Sequence, residues 1–185
     1  MNCSLPPLHT LVLGGTTSGV AAALRLKKEG HDVAVVTHRT YLGEDRCDGL
    51  NLVIPSGSAL FHPLCERLYG ENGCSEGTVR PMQVKRELDR ICDEADIPVL
   101  LSVFVSGIES DGSGIHLHLH TRSSTFTVQA DHLLDASVRG ETLRQLGVPL
   151  HPPAAEVEVL RRVIRRTAPS DTGDRKSTRL NSSHY

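Results

Sequence analysis

The residues best suited to chemistry lie at one turn near the start of the chain, Leu13-Gly14-Gly15-Thr16-Thr17-Ser18-Gly19-Val20. Against the spacing G-x-G-x-x-G, Gly14 takes the first glycine position and Gly19 the third, while Thr16 stands at the second. The first position permits a tight turn out of a strand, the second lets backbone approach a diphosphate, and the third lets helix and strand pack closely. Thr16 adds bulk at the middle position, but its hydroxyl could donate to a phosphate oxygen. The helix N-terminus at Thr17 to Val20 offers N–H groups and a partial positive charge to an anion. Gly14, Gly15, Thr16, Thr17, Ser18 and Gly19 are therefore expected to hold a diphosphate. The plain alternative is a glycine-rich turn that binds nothing.

A dinucleotide site of this kind carries an acid at the end of the next strand, gripping a ribose hydroxyl. Here Thr37-His38-Arg39 fills that place, and no Asp or Glu follows until Glu44. Thr37 could make one neutral hydrogen bond instead. His38 or Arg39 could cover an adenine face or meet a phosphate, and an arginine here would suit NADP.

Other groups are weaker candidates. His116, His118 and His120 share one face of a strand, but their ends lie about 13 Å apart, too far to grip one ion easily. A solvated strand face is the expected reading, with no metal. Cys47 could be a redox partner or a covalent attachment point, but a loop thiol is expected because no second cysteine lies near it. His62 and His151 are proton donors by residue type alone, so no general base is named. The run Arg161-Arg162-Val163-Ile164-Arg165-Arg166 reads as a solvated helix face.

The elements that must position the turn are legible. His9 to Leu13 reads as a short buried strand, and Gly19 to Glu29 as a helix stopped by Gly30. Asp32 to Val36 completes a βαβ unit with a right-handed crossover. Residues 40 to 80 read as irregular loop, with a short helix around Leu64 to Leu68. Val84, Leu88, Ile91 and Cys92 mark an amphipathic helix opened by Pro81. Val99 to Leu101 reads as another buried strand. Val103 to Ile108, Gly114 to Thr121 and Thr125 to Ala130 form an antiparallel meander, and His132 to Asp135 is a further strand returning to the main sheet. Short helices are expected over 141–146 and 154–166. The fold class is α/β: a Rossmann-like parallel sheet with helices and a three-stranded antiparallel meander as crossover.

The chain has 185 residues, a formal net charge of -2, 38% hydrophobic and 23% charged residues. That can bury a core and gives no electrostatic case for a nucleic-acid partner. No apolar run approaches the roughly 20 residues of a membrane span. Five cysteines without a C-x-x-C, and an N-terminus unlike a secretory signal, point to a cytoplasmic protein. A dinucleotide-binding domain is expected over 8–150, with 151–173 opening the next segment. Residues 174–185 resemble a translated sequencing adapter and are expected to be a disordered, non-native tail.

Taken together, the motifs resemble the N-terminal part of an FAD-dependent oxidoreductase of the glutathione-reductase-like, two-dinucleotide-fold superfamily. A first turn of the form GGTxxG occurs in that family. Thr40-Tyr41-Leu42-Gly43-Glu44-Asp45 is similar to its segment lying along the flavin. Val84 through Val105 resembles its helix-then-strand, and His132-Leu133-Leu134-Asp135-Ala136-Ser137 its "vIDATG" strand. The resemblance implies FAD as cofactor, with Leu42 and Gly43 facing the flavin side, and a domain that is incomplete, cut before a substrate domain. It implies adenine contacts from Val105, Asp135, Ala136 and Ser137, and Thr37, His38 and Arg39 at the adenosine end. An NAD(P)-binding enzyme of the plain Rossmann type and a non-catalytic nucleotide-binding fragment are the alternatives. The meander argues against the first. The missing acid and the altered strand ending favour the second.

Overall fold

A computed structural model describes residues 6–50, 79–140, 142, 144 and 147. They belong to the first of two units into which the chain divides, Met1–Leu150. The expected helices around Leu64 to Leu68 and over 154–166, the tail 174–185, and His62 and His151 lie outside the described residues.

The elements run β1 (Leu8–Leu13), α1 (Thr17–Lys28), β2 (Val33–Val36), α2 (Glu44–Cys47), α3 (Pro81–Glu94), β3 (Val99–Leu100), β4 (Phe104–Asp111), β5 (Gly114–His120) and β6 (Thr125–Asp135). They build one six-stranded sheet in the order β3-β2-β1-β6-β5-β4. β2 and β6 flank β1 in parallel, and β3 lies parallel beyond β2. β4, β5 and β6 form the antiparallel meander. The α/β class and its meander therefore stand as expected from the sequence.

Four details differ. The helix begins at Thr17, two residues early, because Thr16 caps it: its Oγ1 accepts from the Gly19 N–H at 3.0 Å. Gly30 stops the helix as expected. It takes a positive φ of 88°, while the Gly30 and His31 N–H groups close back on the Lys27 and Leu26 carbonyls. Within the segment read as loop, Glu44–Cys47 forms a short helix. β3 is not buried but half-buried, because it lies at the sheet edge and Leu101 beyond it is exposed.

The fourth difference joins two expected strands into one. β6 is continuous through residue 131, and Ala130 pairs with Ile115 on one side and Leu8 on the other. One strand thus ends the meander and places Asp135, Ala136 and Ser137 beside the first turn.

Packing follows the pleat. Val12, Val33 and Val35 point toward α1 and α3, where they meet Val20, Ala23, Val84, Leu88 and Ile91. Leu11, Leu13, Ala34 and Val36 join Leu117, Leu119 and Val128 in a second cluster. Alternation across the strand explains why Leu117 and Leu119 are fully buried while the histidines between them are not.

Candidate functional site

The chain turns back at β1, with β2 on one side and β6 on the other. Ligands of open α/β sheets gather at such a switch point, off the carboxyl ends of the strands. Gly14 donates its N–H to the Val36 carbonyl at 2.8 Å, and Ala136 donates to Leu13 at 2.7 Å. Gly43 donates to the Gly15 carbonyl at 2.6 Å. Three strand ends and the loop after β2 thus converge on the turn.

The glycines do the packing jobs expected of them. A Cβ on Gly14 would lie 2.6 Å from the Ala136 carbonyl carbon, and one on Gly19 would lie 2.3 Å from the Gly14 oxygen. Gly15 is hemmed in by Leu42 and Thr37, at 2.9 and 3.0 Å from its imagined Cβ.

Thr16 behaves otherwise than expected. Its hydroxyl donates to the Ala136 carbonyl at 2.8 Å, across the site, and the residue is buried. With that proton committed, Ser18 must donate its own hydroxyl proton to Thr16 Oγ1, 3.0 Å away. Neither hydroxyl is aimed at a phosphate. Among the described residues, the backbone N–H groups of Gly15, Thr16 and Ser18 have no partner, and they are the donors this turn offers to an anion. The Thr17 N–H is taken: Asp45 Oδ1 accepts it at 2.9 Å, and Asp45 Oδ2 accepts the Thr17 hydroxyl at 2.5 Å.

Beside the turn lies a cavity of about 300 Å³, at the lower end of the range for small-molecule sites. Leu13, Gly14, Val36 and Thr37 floor it; Val103, Phe104 and Val105 form a wall; His38, Ser137 and Thr142 complete it. Thr37 is buried at the centre of this frame. Its N–H donates to Leu100, its carbonyl accepts from Val103, and its Oγ1 accepts from the Arg39 N–H at 3.2 Å. The Thr37 hydroxyl proton is left for a neutral bond.

The other expected residues divide. His38 and Val105 line the cavity, as does Ser137. Arg39 turns away from it: its Nε donates to Glu44 at 3.3 Å and its Nη2 pairs with Asp48. Leu42 is fully buried in the core, so only its backbone can face a ligand. Gly43 takes a φ of 86° and packs against Val84 and Leu88. The Asp135 carboxylate accepts the N–H groups of Ser137 and Thr142, at 2.9 and 3.1 Å, holding the chain where it leaves β6.

Two residues have contacts that the sequence did not mark. Phe104 is half-exposed on the cavity wall, its ring 6.1 Å from His38 and 5.6 Å from His120. An aromatic at the head of an extended run was its available signal. Asp45 had none, because its partner lies 28 residues away.

The remaining candidates have structural partners. His116 faces Asp111 at 3.4 Å, and His118 faces Glu109 at 3.3 Å. Cys47 sits in α2 rather than a loop and donates its thiol to the Pro81 carbonyl at 3.6 Å. Burial, chiefly, raises the Cys47 thiol above its ordinary value. Tyr41 is tied to α3, with Lys85 Nζ 3.4 Å from its ring centroid.

Burial, with Asp89 nearby, pushes the Cys92 thiol up to about 12. The folded chain keeps this proton while the unfolded chain releases it near pH 9. The associated stability is complete below pH 9 and is lost as pH rises toward 12. Unfolding free energy, followed by urea titration, is expected to fall above about pH 9, more steeply in wild type than in Cys92→Ala.

Among the described residues, no helix is long and apolar enough to cross a membrane. A comparison with curated proteins returns no match. Solved structures do resemble the chain. A flavoprotein/dehydrogenase from Cytophaga hutchinsonii is 16% identical with a TM-score of 0.61, over 80% of this chain and 44% of that one. The bacillithiol disulfide reductase of Bacillus cereus is 17% identical with a TM-score of 0.55, over 71% and 40%. The flavin-dependent monooxygenase PieE, solved with FAD and substrate, is 16% identical with a TM-score of 0.58, over 78% and 33%. These are likenesses of fold, and this chain spans less than half of each of these three proteins. A family model described as FAD dependent oxidoreductase matches residues 10–163.

Proposed function

Because this chain belongs to the FAD dependent oxidoreductase family, we propose that the cavity and the turn beside it seat the ADP half of FAD. The observation that carries this reading is the junction of two features at one switch point: the N–H groups of Gly15, Thr16 and Ser18 open beside a cavity of about 300 Å³. The first suits a diphosphate, the second an adenosine. Gly14 and Gly19 supply the close packing that keeps the turn tight, and Thr17 opens the helix.

In this reading the adenine lies against the rings of Phe104 and His38 and meets the Val105 backbone. The Thr37 hydroxyl donates to the ribose in place of the usual acid. Ser137 and Ala136, braced by Asp135, close the far side. Leu42 and Gly43 present backbone toward the flavin end. Arg39 plays no direct part, since Glu44 and Asp48 hold its charge. That commitment weighs against NADP.

Bound flavin would supply the hydride or electron transfer, and the protein's contribution is binding and orientation. The protein as a whole would be a cytoplasmic oxidoreductase acting on a small molecule, with Cys47 and Cys92 free as a reducing compartment requires.

The test is flavin content and selectivity. The purified chain is expected to be yellow, or to quench added FAD, and to release FAD on heating. FMN and riboflavin, which lack the adenosine, should bind at least tenfold more weakly. Equal binding of FMN and FAD, or preferential uptake of NADP, overturns the reading.

A further inference from the structure

The corner that would receive a diphosphate already holds an anion. The Asp45 carboxylate grips Thr17 at both its N–H and its hydroxyl, at 2.9 and 2.5 Å. It thereby caps the N-terminus of α1, a twelve-residue helix, from outside that helix. No residue in the first turn of α1 is itself acidic, so Asp45 is the charge that complements its dipole. The placement is firm. Gly43, two residues earlier, is pinned to Gly15 by a 2.6 Å hydrogen bond, and Arg46 Nε stands 3.6 Å from the same carboxylate.

We infer that Asp45 is a built-in competitor for the diphosphate corner, its charge at Thr17 opposing a diphosphate seated on the neighbouring N–H groups of Gly15, Thr16 and Ser18. This rests on the reading of the site given above. Two anions cannot share one helix N-terminus without repulsion, and the Asp45 side chain is only one-quarter exposed, so water screens the charge incompletely. The Thr17 N–H and hydroxyl can serve the carboxylate or a phosphate, not both. Asp45 thus keeps the helix capped in the free protein and lowers the affinity for any ligand carrying a diphosphate. A ligand with adenosine alone, which has no charge to place at α1, is not affected. Asp45 would then set the threshold concentration of dinucleotide at which the site fills.

The experiment measures binding of ADP and of adenosine, separately, to the full chain by calorimetry. The isosteric Asp45→Asn removes the charge while leaving an oxygen for the Thr17 N–H. It is expected to bind ADP roughly tenfold more tightly than wild type, with adenosine affinity unchanged. Asp45→Ala should shift the same way. Wild type gives an independent measure by NMR: saturating ADP should move the Thr17 amide and the Asp45 carboxyl carbon, and adenosine should move neither. ADP affinity that is unchanged or weakened in Asp45→Asn overturns the inference while leaving the site intact. So does an equal gain for ADP and adenosine, or an Asp45 carboxyl signal indifferent to ADP. Failure of wild type and both variants to bind either ligand removes the dinucleotide reading itself, and the inference with it.

Discussion

Replacing Gly14 by alanine is expected to cost about 4 kcal/mol of unfolding free energy, enough to unfold a marginal domain. Two effects add. Gly14 has a φ of 108°, a conformation that strains any residue with a Cβ. The new methyl would also sit 2.6 Å from the Ala136 carbonyl carbon and the Ser137 nitrogen, both backbone atoms that cannot step aside. Gly19→Ala should cost about 3 kcal/mol through overpacking alone, because its Cβ would lie 2.3 Å from the Gly14 oxygen. Gly112 is the control. A Cβ there meets nothing within 4 Å, so Gly112→Ala should stay within about 0.5 kcal/mol of wild type. Urea unfolding of the four proteins measures all three changes. A Gly14→Ala chain as stable as the Gly112→Ala chain would show that β6 does not cross the turn as described.

Thr16→Gly should destabilise the chain by about 1 kcal/mol, although it restores the glycine that the G-x-G-x-x-G spacing favours. The Thr16 hydroxyl accepts from the Gly19 N–H and donates to the Ala136 carbonyl, so one group caps α1 and ties the turn to β6. A lost cap costs roughly 1 kcal/mol when alanine replaces it but only a few tenths when glycine does, and the partly buried Ala136 carbonyl stripped of its donor costs about 1 kcal/mol more. Thr16→Ala, a poorer cap than glycine, should cost about 2 kcal/mol, whereas Thr16→Ser, which keeps the hydroxyl, should recover most of the loss. Thermal melts of the three variants decide the matter. A more stable Thr16→Gly would mean that the hydroxyl does not hold the turn.

Much of the frame could be read without coordinates, for a common reason. The β1-α1-β2 unit, the Gly30 stop and α3 are written in interactions that reach only a few residues along the chain. Apolar runs marked the strands, Pro81 opened α3, and Val84, Leu88, Ile91 and Cys92 lined its buried face. Leu117 and Leu119 alternating with histidines fixed which face of β5 turns inward. The turn at Gly14 to Gly19 was legible because its glycines are required by backbone packing, whatever ligand is present.

The rest depended on strand order. Thr16 meets Ala136 across 120 residues and Asp45 meets Thr17 across 28, and no periodicity encodes such pairs. They exist because β6 lies beside β1 and because Gly43 docks on Gly15. Arg39 looked like a partner for phosphate, yet the short helix α2 brings Glu44 beside it and Asp48 just beyond its end. So the sequence alone determined where a dinucleotide turn stands. Only the tertiary structure decided which of its donors remain open to an anion, since that is set by groups distant in the chain competing for the same N–H and hydroxyl protons.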